Sequence, residues 1–270
     1  MRQRLHIIYE YLALWFGLGL LGCVCLLWTP FSWSLYHLQP RSSGGRLGRY
    51  MNMNWLRFYL RGLSLSGACR FDIRSLDALR GQAPVIIAPN HPSLIDAVMV
   101  ISRLPNVVCI MKTELMNNLF LRAPSRFARY IGNGSLMEMI RDAAETLRQG
   151  NHLLLFPEGT RTVREPVNHF TNAVGLIAHR AKVPVQTVFI ESDSKYLCKG
   201  WPLFKKPSMP INYRVRLGRR FDPPRDARAF TGELEQYFAG ELAAGALAPE
   251  AQLQPSRPQR TVSQNLANRA

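Results

Sequence analysis

Short apolar runs rich in β-branched residues alternate along this chain with stretches whose apolar positions recur every three or four residues. Val85-Ile86-Ile87-Ala88-Pro89, Val107-Val108-Cys109-Ile110-Met111 and Leu153-Leu154-Leu155-Phe156 have the unbroken apolar character of strands covered on both faces, and Val183-Pro184-Val185-Gln186-Thr187-Val188-Phe189-Ile190 predicts a further strand. Residues 68–75 predict a first strand and 76–81 a turn leading to Val85. Ile211 to Leu217 alternates Ile, Tyr, Val and Leu with Asn, Arg and Arg, the pattern of a half-exposed edge strand. Between these runs, helices are predicted from Leu94 onward, around 116–130, over 136–149, 172–181 and 231–242. The clearest is 136–149, where Leu136, Ile140, Ala143, Ala144 and Leu147 share a face and Gly150 suits the C-cap. Strands alternating with helices argue an α/β fold.

The first 65 residues follow a different pattern. Tyr11 to Trp28 carries no charge, and Leu5, Ile7 and Ile8 lengthen the apolar run. That is close to the minimum length of a membrane-spanning helix, so a membrane anchor is expected, either spanning or dipping in and out. Thr29-Pro30 is expected to break this helix, with Trp28 and Trp33 at an interface. Two rivals are weaker. Leu20-Leu21-Gly22-Cys23 resembles a lipoprotein processing site, but the apolar run continues past it; a buried core helix is seldom apolar all round. Residues 46–65 mix Arg46, Arg49, Arg57 and Arg61 with Met51, Met53, Trp55, Leu56, Phe58, Tyr59 and Leu60. They suit an amphipathic helix on an anionic surface and equally one packed on its own domain. Ser42-Ser43-Gly44-Gly45 makes a hinge, and arginines behind the anchor outnumber Arg2 and Arg4, which places the downstream side in the cytoplasm. Beyond about Ala248 the chain turns Gln-, Pro-, Ser-, Arg- and Asn-rich, the composition of a disordered tail. The expected organisation is therefore an anchoring segment over 1–65, a catalytic domain over 66–247 and a tail over 248–270.

Net charge sharpens the choice of partner. Lys and Arg total 34 against 18 Asp and Glu, a formal net charge of +16, so an anionic partner is expected. The basic residues form no long run and no nucleic-acid motif is present, which favours an anionic membrane over nucleic acid. Cys23, Cys25, Cys69, Cys109 and Cys198 offer no metal-ligand spacing, so neither a metal site nor a cofactor is expected.

Candidate chemistry lies at the ends of two predicted strands. Asn90-His91-Pro92-Ser93-Leu94-Ile95-Asp96 places a histidine and an aspartate at a strand-to-helix junction, where rigid scaffolds aim functional groups at clefts. His91 has the pKa range of a general base and Asp96 could fix its tautomer; a plain capping pair is the alternative. Ser93 is not embedded in a nucleophile elbow, so it reads as a cap or local donor. Pro157-Glu158-Gly159-Thr160-Arg161 follows the Leu153 strand.

His-x4-Asp followed downstream by Phe-Pro-Glu-Gly-Thr-Arg closely resembles the first and third sequence blocks of the glycerolipid acyltransferases, and the chain looks nearest to their 1-acylglycerol-3-phosphate O-acyltransferase branch. The likeness covers about residues 80–195. It implies a mixed, mostly parallel sheet flanked by helices, with an N-terminal anchoring helix or helix pair. It also implies direct attack of an acceptor hydroxyl, activated by His91, on an acyl thioester of coenzyme A or acyl carrier protein. Glu158, Gly159, Thr160 and Arg161 would bind the acceptor phosphate, Arg161 through its planar fork, unless it forms a salt bridge with Glu158 or Glu165. Lys112 would supply a second positive charge or be a solvated lysine. A membrane-bound enzyme at a bacterial inner membrane, facing the cytoplasm, is the resulting expectation. One departure stands out. Where the second block usually carries an arginine, this chain has Gly132-Asn133-Gly134, so the acceptor is either a lysophosphatidate bound through fewer side chains or a lyso-aminolipid or lipid-like pigment without a phosphomonoester. A non-catalytic basic membrane-surface protein is the rival from another class.

Overall fold

A computed structural model describes residues 2–39 and 44–247. The Ser42–Gly45 hinge lies partly, and the 248–270 tail wholly, outside the described residues. Two helices come first, α1 (Arg2–Leu38) and α2 (Gly44–Leu65). The chain then forms β1 (Cys69–Asp72), β2 (Ile86–Pro89), α3 (Asp96–Ile101), β3 (Val107–Met111), α4 (Thr113–Met116), α5 (Arg122–Ala128), β4 (Ile131–Gly132), α6 (Leu136–Arg148), β5 (His152–Leu154), α7 (Ala173–Ala181), β6 (Val185–Ser192), β7 (Ile211–Phe221) and α8 (Ala227–Leu247). The expected turn after β1 is a 3-10 helix over Arg74–Leu79.

The seven strands form one sheet in the order β1-β7-β6-β2-β5-β3-β4. Strands β6, β2, β5, β3 and β4 run parallel, while β7 is antiparallel to β6 and parallel to β1. This is the mixed, mostly parallel sheet expected. The continuous apolar runs are explained by cover on both faces: Val85 and Ile87 pack with α1, α2 and α3 residues such as Leu14, Leu60 and Met99. Ile86 and Ala88 pack on the other side with α6, α7 and α8 residues such as Leu147, Ile177 and Phe238.

Three expectations are corrected. The Ile211 strand is no edge: β7 lies between β1 and β6, so its alternation reflects unequal cover of its two faces rather than a missing neighbour. Nor does Pro30 end the first helix, since α1 runs through it to Leu38. Proline removes one N–H donor, but packing on either side holds the helix. Trp28 is buried, not interfacial, and donates to Asn52 Oδ1 of α2 at 2.7 Å. Thr29 Oγ1 donates to the Phe120 carbonyl at 2.9 Å. Trp33 stays 60 % exposed, as an interfacial tryptophan would.

Helix α1 is not free of the domain. Glu10, Ala13, Leu14, Gly17, Val24, Trp28 and Ser32 form one buried stripe along it. A Cβ on Gly17 would lie 2.9 Å from the Leu63 side chain of α2, so the two helices pack closely there. The opposite side exposes Leu12, Trp15, Phe16, Leu26, Leu27 and Phe31. For α2, the packed alternative is the one observed: Met53, Tyr59, Leu60 and Leu63 are buried between α1 and the sheet.

Candidate active site

Because β2 and β5 are parallel neighbours, their C-terminal ends deliver the two candidate sequence blocks to one edge of the sheet. Residues on loops there sit over a crevice in folds of this kind. Strand β2 stops at Pro89, and the side chain of Asn90 carries its pairing one residue further. Asn90 Oδ1 accepts from Ile190 N at 2.7 Å and Nδ2 donates to Ile190 O at 3.0 Å, an imitation of a backbone ladder step that fixes where His91 begins.

His91 Nδ1 lies 2.9 Å from Asp96 Oδ2. Asp96 is fully buried and its Oδ2 also accepts the Ser93 N–H at 2.7 Å. Burial pushes the Asp96 carboxyl up to about 6, opposed by the hydrogen bond and charge of His91. The His91 ring stacks on Phe156, centroids 3.9 Å apart and planes 23° from parallel. That contact fixes the ring plane, and an aromatic face favours an imidazolium above it. The side chain of His91 keeps 16 % of its surface accessible. Ser93 is not placed as a nucleophile: its buried hydroxyl donates to the Tyr196 carbonyl at 3.0 Å.

Glu158 ties the second block to the first. Its buried Oε1 accepts the His91 N–H at 2.9 Å and the Thr162 hydroxyl at 2.8 Å, and its Oε2 accepts the Asn168 N–H at 2.9 Å. The Thr162 N–H in turn donates to the His91 carbonyl at 2.7 Å. Glu158 therefore orients the histidine loop rather than Arg161. Glu158→Gln would aim an amide donor at the Asn168 N–H. An unpaired buried donor costs about 1–3 kcal/mol, so thermal unfolding should show a loss of that size, together with reduced turnover.

Gly159 adopts φ +66°, the left-handed region open to glycine. Thr160 is half-buried beside it. Arg161 forms a salt bridge with neither Glu158 nor Glu165; Glu165 pairs instead with Lys195. Its Nη1 donates to the carbonyls of Leu197 at 2.8 Å and Cys198 at 3.0 Å, while Nε and Nη2 make no hydrogen bond among the described residues. Lys112 is exposed at the end of β3, and β5 separates its strand from β2. It donates no hydrogen bond to the other candidates among the described residues. The second-block turn begins in the short strand β4, which was not anticipated. Asn133 Oδ1 accepts the Thr113 N–H at 3.2 Å, and a Cβ on Gly132 or Gly134 would lie 3.2 Å from Thr113 Oγ1. Contributors that sequence reasoning missed are Phe156, Thr162, Asn168 and the carbonyls of Leu197 and Cys198. Phe156 stood in plain view within its block; carbonyl acceptors leave no trace in side-chain identity.

Comparison with known proteins agrees with this geometry. Residues 70–191, which hold both blocks, match the profile of the Acyltransferase family. The chain is 28 % identical over 156 residues to human 1-acyl-sn-glycerol-3-phosphate acyltransferase beta, a match spanning 54 % of this chain and 55 % of that protein, so it covers about half the length of that relative. It is 22 % identical over 188 residues to the 1-acyl-sn-glycerol-3-phosphate acyltransferase of Pseudomonas aeruginosa, spanning 67 % of this chain and 72 % of the other. The fold is shared with the crystal structure of the 1-acyl-sn-glycerophosphate acyltransferase of Thermotoga maritima, with a TM-score of 0.66, 16 % identity, and coverage of 90 % of this chain and 99 % of that one.

Proposed function

We propose that this protein is a membrane-associated O-acyltransferase that moves a fatty acyl group from a thioester of coenzyme A or acyl carrier protein to the hydroxyl of a lysophospholipid, with 1-acylglycerol 3-phosphate as the acceptor. The observation that carries the reading is the 2.9 Å pairing of His91 Nδ1 with the buried Asp96 carboxylate at the mouth of β2. With Nδ1–H donating to Asp96, the lone pair of Nε2 is available to take the acceptor's proton. The hydroxyl oxygen attacks the thioester carbonyl carbon, the tetrahedral oxyanion collapses, and the C–S bond breaks. The departing thiolate takes the proton back from the imidazolium, which leaves ester, thiol and neutral histidine. Asp96 and the Phe156 face stabilise the imidazolium while it exists.

Arg161 serves the acceptor phosphate in this reading. Its Nη1 is fixed by two carbonyls, and a fork held in place loses little freedom on binding. A charge-assisted hydrogen bond is worth about 1.5–3 kcal/mol, or roughly ten- to a hundredfold in affinity. Arg161→Ala should therefore raise KM for lysophosphatidate by about that factor and change KM for an uncharged lipid alcohol much less. Equal damage to both acceptors in steady-state assays would reassign Arg161 to structure or to the donor.

Among the described residues one helix, Arg2–Leu38, is long and apolar enough to cross a membrane by length and composition. Its buried stripe runs from Glu10 to Ser32, leaving no free stretch of about 20 residues to traverse a bilayer away from the domain. This supports α1 lying along the domain with its exposed side in one leaflet, at the inner membrane and facing the cytoplasm where thioester donors are made. A second reading of the acceptor rests on Gly132-Asn133-Gly134, which supplies no cation where a second phosphate contact would stand. On that reading at least one acceptor lacking a phosphomonoester is acylated. An assay of lysophosphatidate against neutral, zwitterionic and amino-acid lysolipids, with both thioester donors, tests the two together; no transfer to any of them would end the proposal.

A further inference from the structure

The connection from β6 to β7, residues 193–210, has no regular secondary structure, and loops of this length in compact domains commonly have a function. Its first half holds the candidate site together. The Leu197 carbonyl accepts the Leu94 N–H at 3.1 Å and Arg161 Nη1 at 2.8 Å, so one oxygen joins both sequence blocks. To present it, Leu197 adopts φ +60°, a left-handed conformation rare for a leucine. Such outliers persist where surrounding structure over-determines them.

The second half is fastened to α1. Lys206 pairs with the buried Glu10, whose Oε1 also accepts the Met209 N–H at 3.1 Å. Phe204 stacks on Trp15, centroids 5.4 Å apart. The segment is thus a strap running from the amphiphilic helix to the histidine loop and Arg161.

Its outer surface is unusual for a protein facing only water. Leu203 is 48 % exposed, Phe204 62 % and the stacked Trp15 56 %, and this patch continues into the exposed apolar side of α1. Lys199 and Lys205 flank it, both exposed, with Lys205 Nζ 5.0 Å over the Trp201 ring. Aromatic and aliphatic side chains rimmed by lysines match a bilayer interface whose headgroups are anionic. We propose that residues 199–206, together with Trp15, seat against an anionic lipid surface as a second membrane contact beside α1. The strap then carries that seating to the Leu197 and Cys198 carbonyls that position Arg161. The inference rests on the acyltransferase reading only for its effect on catalysis.

The test uses full-length protein carrying Lys199→Glu and Lys205→Glu, substitutions of exposed side chains that, among the described residues, donate no hydrogen bond to Arg161 or to the carbonyls that hold it. Flotation would be measured with vesicles of phosphatidylcholine alone and of equal phosphatidylcholine and phosphatidylglycerol, and turnover with lysophosphatidate in those vesicles and in neutral detergent micelles. Near a surface each lysine contributes roughly fivefold, so reversing two should weaken binding to the anionic vesicles by at least roughly tenfold. Binding to phosphatidylcholine should be unchanged. KM in anionic vesicles should rise in step, with kcat in micelles preserved. Leu203→Ser with Phe204→Ser should weaken binding to both vesicle types. Unaltered flotation and KM in anionic vesicles would overturn the inference. So would normal flotation with turnover lost only when the donor is acyl carrier protein, since the lysines would then dock an acidic protein. Patch-dependent flotation by a wild-type protein that acylates nothing would defeat the acyltransferase reading and leave the membrane contact standing.

Discussion

Purified His91→Ala protein is expected to keep its fold and to lose acyl transfer by roughly a hundred- to ten-thousandfold, the usual contribution of a positioned general base. The separation of the two effects follows from where the residue sits. His91 is held through its backbone: its N–H donates to Glu158 Oε1 at 2.9 Å and its carbonyl accepts from Thr162 at 2.7 Å. Alanine preserves both. What disappears is the ring, with its stack on Phe156 and its bond to Asp96, and 16 % of that side chain already faces solvent. The remaining cost is Asp96, left buried without its principal partner. That carboxyl can answer by taking up a proton, because burial already holds it at about 6. Unfolding should therefore stay cooperative at neutral pH with a modest loss of stability. Near-wild-type turnover by the purified variant would sink the mechanism.

Asp96→Asn should produce the opposite pairing, a protein that is catalytically crippled yet no less stable at neutral pH. A carboxyl at about 6 in the folded protein, against an ordinary 3.8, favours the folded state most when protonated. The sign follows from that: below pH 4 both folded and unfolded chains hold the proton and there is no penalty. Between pH 4 and 6 the unfolded chain releases it first, so stability falls as pH rises. Above 6 the penalty is constant at about 3 kcal/mol. Asparagine removes the ionisation while its amide oxygen can still accept from Ser93 N and His91 Nδ1. The variant's melting temperature should equal or exceed the wild type's at pH 7.5, and the difference should shrink toward pH 4. Catalysis should drop about a hundredfold or more, because no carboxylate remains to stabilise the imidazolium. In the wild type, activity should fall on acidification through about pH 6, as the Asp96 carboxyl takes up a proton and no longer stabilises the imidazolium. A variant clearly less stable than wild type at pH 7.5 would show that the Asp96 charge supports the fold instead.

Much of this protein was decided locally. A strand covered on both faces is apolar at most of its positions, so β2, β3, β5 and β6 announce themselves in the order of residues. Helix α6 does the same through its one apolar face, capped at Ser135. The two blocks with functional side chains were legible because they begin where apolar runs stop. Burial, however, is all that an apolar pattern encodes; it does not say which strand lies beside which. Pairing uses backbone N–H and C=O groups that every residue has, so the neighbours of β7 were invisible, and it was read as an edge though it lies inside the sheet. The same reason hid the adjacency of β2 and β5, which alone brings Glu158 against the backbone of His91. Helix α1 passes Pro30 because contacts with α2 and α5 outweigh one lost hydrogen bond, a balance of distant partners. And Arg161 owes its orientation to two carbonyls at Leu197 and Cys198, chemistry identical in any amino acid and therefore fixed only by where the folded chain places it.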